Sequence, residues 1–127
     1  MMRLFLRAAL LLLALLYLAI GTGFLIAPEA LGVAFGVAPT RPKGLASMRA
    51  DFTAFFWLLG GSLGWGAWRQ SGGALLVALL LVATALAGRG VSLLLDGTYA
   101  GALQPMAIEA VTVLLAFAAM RAFGRSV

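Results

Sequence analysis

Four runs of about twenty mostly apolar residues leave this chain little choice of fold, because that is the length of helix a hydrocarbon core requires. They lie at 4–26 ("LFLRAALLLLALLYLAIGTGFLI"), 47–68, 74–95 and 105–123, and together take up most of the 127 residues. Leu and Ala dominate all four, whereas a membrane barrel alternates apolar and polar residues over short strands. The expected fold is therefore all-α: a single domain, residues 1–127, built as a polytopic membrane four-helix bundle with short loops. Composition agrees, with 64% hydrophobic and 10% charged residues, against about 45–50% and about 25% in soluble domains.

The formal charge of +5 does not point to nucleic acid. The basic residues are scattered singly among apolar runs and form no basic face; flanking charge on membrane spans explains them better. There is no cysteine, which excludes disulfide, thiolate and iron–sulfur chemistry. There is also no histidine, the commonest metal ligand and general base. Neither a metal nor a cofactor is expected.

The first run also fits a secretory signal peptide, with a basic start followed by leucines. Its length, and the lack of a small-x-small site in "GTGFLIAP", favour a retained span. The connection "APEALGVAFGVAPTRPKG" at 27–44 holds three prolines and reads as a loop, whose middle, 29–37, can lie as a short helix at the membrane interface. "RQSGG" at 69–73 reads as a tight turn. "DGTYAGALQP" at 96–105 is a longer one, with Pro105 suited to the first turn of the last helix.

Arg and Lys set the orientation. With the N-terminus inside, the inner segments hold Arg3, Arg7, Arg69, Arg121 and Arg125, and the first outer loop holds Arg41 and Lys43. Trp65 and Trp68 would anchor the second helix at the inner interface. The expectation is a bacterial inner-membrane protein with both termini cytoplasmic.

That topology places all four acids, Glu29, Asp51, Asp96 and Glu109, in outer loops or outer halves of spans, together with Arg49 and Arg89. Arg89 is the hardest to explain away. At about 1.5 Å per residue it lies about 20 Å from the inner surface, and such a position costs about 2.5–3.5 kcal/mol on insertion scales, part of it recovered by snorkelling. Arg89, Ser92 and Asp96 share one helix face, but Asp96 is too far along it for a direct pair. The expected partner of Arg89 is Glu109 on the fourth helix or Asp51 on the second. Glu109, Thr112, Ala116 and Ala119 form a polar and small face that can turn inward. On the second helix Arg49, Thr53, Phe56, Gly60 and Gly64 share a face, and the Gly60/Gly64 spacing admits a neighbouring backbone. Tyr17 and Thr22 lie at matching depth on the first.

The candidate site is an outward-opening polar pocket lined by Arg49, Asp51, Arg89, Ser92, Asp96 and Glu109. The competing reading of the same charges is a paired network that fixes helix register and binds nothing. Phe52, Phe55, Phe56 and Trp57 read as core or lipid contacts. Glu29, Arg41 and Lys43 read as solvated loop charges, the last two able to touch lipid phosphate.

"APEALG" after the first span, "MRADF" opening the second, "GRGVSLLLDG" closing the third and "IEA" opening the fourth resemble a family of small four-helix bacterial integral membrane proteins known only as a domain of unknown function. The likeness covers about residues 17–121, and the general architecture is similar to DoxX-type bundles. It implies a four-span inner-membrane protein with Arg49, Arg89, Asp96 and Glu109 as the family-type polar positions. It brings no reaction with it. The family pattern often has a Gly pair soon after the second-helix arginine; here Phe residues stand there and the pair comes later, at Gly60–Gly61.

Three functions are compatible with these residues. The first is a non-enzymatic membrane protein that binds a lipid or small amphiphile, or serves as an accessory subunit, with Arg89 as a forked donor to an anionic head. Membrane lipids are its expected partners, and small residues on several spans allow a homo-oligomer. The second is an isomerase-type enzyme on a lipid substrate, with Asp96 and Glu109 moving protons. The third is a small proton-coupled transporter.

Overall fold

The computed structural model describes residues 1–123, and within them the fold is all-α, with no strand. Six α-helices follow one another: α1 (Met2–Ile26), α2 (Pro28–Phe35), α3 (Pro42–Ser47), α4 (Thr53–Arg69), α5 (Gly72–Asp96) and α6 (Leu103–Phe123). A π-helical segment, Met48–Phe52, joins α3 to α4 without a break.

Proline and glycine punctuate the chain where their backbone preferences dictate. Pro28 pushes the preceding Ala27 out of the helical region (φ −135°, ψ 65°) and begins α2. Gly36, at φ 69°, ends α2 in the left-handed conformation, and Val37 N–H closes the turn onto Gly32 O at 2.8 Å. Ser71 caps α5 by accepting from Ala74 N–H at 3.3 Å.

The long helices pack as a closed ring in the order α1, α4, α5, α6 and back to α1, with α2 lying on α1. Each runs against its neighbours, so the chain start and the end of α6 meet at one end. Arg3 Nη2 donates to Ala122 O there at 2.9 Å, and Arg7 Nε to Ala67 O at 3.1 Å. That end carries Arg3, Arg7, Arg69 and Arg121; Arg125 lies outside the described residues. All four acids fall toward the opposite end.

Leu10, Leu59, Leu63, Leu75, Ala78, Ala116 and Ala119 fill the ring and are essentially inaccessible. At the acidic end the core turns aromatic. Phe24 packs edge-on against Phe35 and Phe52, at 5.1 and 4.8 Å between centroids, and parallel to Phe56 at 5.9 Å. The outward faces are apolar as well: Leu12, Leu15, Trp65, Trp68, Leu80, Leu114 and Phe117 are all exposed. A helix apolar all round is not built to face water. α1, α5 and α6 are long and apolar enough to cross a membrane.

The second expected run, 47–68, is not one regular α-helix. Its first turn is π-helical, and α4 proper has 17 residues. The burial pattern accounts for the wider turn. Met48 and Thr53, five apart, both point inward, while Arg49, Ala50 and Asp51 between them are exposed. A 3.6-residue turn cannot place positions five apart on one face; a π turn can. In the 27–44 connection α2 stands where the short helix at 29–37 is expected, and the start of α3 is the part that a loop reading misses.

Candidate functional site

The antiparallel pairing of α5 and α6 brings Arg89 to Glu109. Arg89 Nε donates to Glu109 Oε1 at 2.8 Å. The two side chains differ in exposure: Arg89 retains 30% and Glu109 only 11%. Glu109 Oε2 is buried and has no hydrogen-bond partner among the described residues. A carboxylate so placed depends almost wholly on the one guanidinium for its charge balance.

One turn further along α6 the polar face continues inward. Tyr17 Oη on α1 and Thr112 Oγ1 lie 2.8 Å apart, both buried. Thr112 Oγ1 donates to Ile108 O at 2.8 Å. A threonine hydroxyl has a single proton, so Tyr17 donates to Thr112. Between the charged pair and this relay, α1, α5 and α6 share one polar seam through an apolar bundle.

Arg89 faces outward onto a cavity of about 800 Å³. Val33 and Phe35 of α2 form one wall; Arg89, Tyr99, Gln104 and Ile108 line the other side. The cavity thus has a polar corner and apolar flanks, and its size lies within the usual range of about 300–1,000 Å³ for small-molecule sites. A guanidinium carries five N–H donors in a fixed fork. Glu109 takes the Nε donor, which leaves the four Nη hydrogens for Tyr99, whose side chain interacts with Arg89, or for a ligand.

The six residues expected to line one pocket are divided among separate places. Arg89 and Glu109 meet, and Glu109 rather than Asp51 is the partner of Arg89. Ser92 Oγ donates to Asp96 Oδ2 at 2.9 Å on an exposed part of α5. Arg49 belongs to the α1–α4 seam: its Nε donates to Leu25 O at 3.1 Å, capping the last turn of α1. Arg49 also borders a smaller cavity of about 380 Å³ together with Glu29 and Pro28. Asp51 is exposed in the π segment. The same seam contains Thr53 Oγ1 donating to Gly21 O at 3.1 Å and Trp57 Nε1 donating to Thr22 Oγ1 at 3.2 Å. Asp96 and Glu109 therefore have different partners, and no bond joins them.

Tyr99, Gln104 and the α2 residues of the cavity escape a reading of the sequence. Their one signal was the glycine-flanked aromatic in "DGTYAGALQP", where Gly97 and Gly101 take φ of 88° and 81° and fold the turn over the end of α5.

Comparison with family models, curated proteins and solved structures finds no match for this chain.

Proposed function

We propose that this is a four-span protein of the bacterial inner membrane, with both termini cytoplasmic, that binds a lipid or other small amphiphile by its anionic head at Arg89. The fourth span in this reading is the unbroken helical run of α3, the π segment and α4, from Pro42 to Arg69. Arginines gathered at the end where α1 starts and α6 stops support the orientation, and outward apolar faces on every long helix support the solvent. The likeness of "MRADF", "GRGVSLLLDG" and "IEA" to the small four-helix family belongs to the same reading.

One observation carries the binding role. Arg89 has one edge on a buried carboxylate and the other on an 800 Å³ cavity with apolar flanks. Glu109 and Tyr99 together use only part of the five-donor fork, so Arg89 brings more donors to the cavity side than neutralising Glu109 requires. A planar fork of donors suits a carboxylate, phosphate or sulfonate head, and Val33, Phe35 and Ile108 suit the first carbons of a chain. Native mass spectrometry of the detergent-purified protein tests this: wild type retains an anionic lipid or amphiphile, and Arg89→Gln loses it while remaining folded. Equal adducts in both would overturn the assignment.

A further inference from the structure

Glu109 stands behind Arg89, out of the cavity, with one oxygen bonded and one not. In the empty site its charge and that of Arg89 cancel. An anion seated on the Nη edge leaves the site at net −1, with Glu109 Oε2 buried and without a donor among the described residues. Low-dielectric surroundings make that imbalance costly. We propose that an anion binding at Arg89 is accompanied by uptake of one proton on Glu109, so that the protein takes up its amphiphile together with a proton. The proposal rests on the cavity reading given above.

The neighbours of Glu109 leave it as the proton's destination. From α5 it is faced by Arg89, which bonds it, and from α1 by Tyr17, whose hydroxyl already donates to Thr112. The 97–102 turn contributes Tyr99 to the cavity, and the α2 wall, Val33 to Gly36, carries no charge. Asp96 is exposed and accepts from Ser92. Elsewhere the chain has no histidine and no cysteine, so no side chain of the kinds that ordinarily titrate near neutrality is present. The amino terminus lies at the other end of the bundle.

Binding and protonation are reciprocal. The loaded state holds more protons than the empty one, so affinity falls as pH rises through the range in which the loaded site gives its proton up. An anion hydrogen-bonded across the guanidinium lies about 6 Å from the carboxylate, which at the effective screening of a protein site corresponds to a coupling of about a hundredfold.

The test uses decane-1-sulfonate below its micellar concentration, because its head stays ionised at every pH used. The full chain is held in nanodiscs of zwitterionic lipid, and calorimetry runs from pH 5.5 to 8.5 in buffers of different ionisation enthalpy. Wild type should bind with net proton uptake, largest toward the acid end of the range, and should weaken as the pH rises, by up to about a hundredfold in all. Glu109→Gln, a neutral mimic of the protonated acid, should bind at every pH with the low-pH affinity of wild type and take up no proton. The wild-type proton count stands by itself if that variant does not fold. Wild-type binding with no uptake and no pH dependence would overturn the coupling and leave the cavity reading intact. No binding by wild type at any pH would overturn both.

Discussion

Arg89 and Glu109 meet through a single edge: Nε to Oε1 at 2.8 Å, the arginine part-exposed and the carboxylate buried. That asymmetry predicts unequal consequences for the two residues. Arg89→Leu strands a buried carboxylate and should cost about 3 kcal/mol, the lower end for a broken buried pair because Arg89 is part-exposed. The double variant Arg89→Leu/Glu109→Leu removes the charge as well and should recover most of the loss. Thermal denaturation in detergent reads both; a double variant as unstable as the single one would contradict the pairing.

The relay beneath the pair has a direction, Tyr17 to Thr112 to Ile108 O. Tyr17→Phe removes one donor and leaves Thr112 bonded, so it should cost about 1 kcal/mol. Thr112→Val leaves the buried tyrosine hydroxyl without its acceptor and should cost more, about 1–3 kcal/mol. Denaturation midpoints in that order, with Tyr17→Phe/Thr112→Val close to Tyr17→Phe, would agree; the reverse order would not.

Adjacent glycines on α4 should behave oppositely. A Cβ at Gly60 would come within 2.9 Å of Ala14 O and 3.0 Å of Leu18 N, both backbone atoms of α1 that cannot swing aside. A Cβ at Gly61 meets nothing within 4 Å. Gly60→Ala should therefore push α1 from α4 and lower the melting temperature. Gly61→Ala should be neutral or stabilising by up to about 1 kcal/mol, from helix propensity alone.

The chain has no cysteine of its own, so single introduced thiols can report orientation. Thr40, before α3, and Gly73, at the start of α5, are both exposed and lie at opposite ends of the bundle. In intact cells a membrane-impermeant thiol reagent should label Thr40→Cys. Gly73→Cys should react only after permeabilisation. The opposite pattern would invert the orientation given above.

What could be read from residue order follows the reach of each physical signal. Hydropathy locates the long apolar helices because span length is set by a solvent, not by neighbours. The proline and glycine spacing locates α2 and the 69–73 turn because those preferences are local. Residue order leaves Glu109 as one of two partners for Arg89, and depth in the bundle, which decides between them, is a property of two helices at once. Depth alone groups Arg49 with Arg89; the π turn at Met48–Phe52 and the carbonyl of Leu25 hold it on a different seam. A pocket opening at Arg89 is legible from charge and depth, but the residues that wall it are not. Its walls come from α2, the 97–102 turn and the start of α6, and no periodicity records how a connection folds back over a bundle.

The central claim is that the outer edge of Arg89 receives an anionic head while its chain lies against α2 and α6. An experimental structure with an iodinated alkyl sulfonate tests this most directly, because anomalous scattering locates the iodine without reference to any model. The account predicts a sulfonate on the Nη groups of Arg89 and an iodine peak beside Val33, Phe35 and Ile108. A saturated protein whose iodine peaks lie only on the outer helix faces, or among Arg3, Arg69 and Arg121, would contradict it.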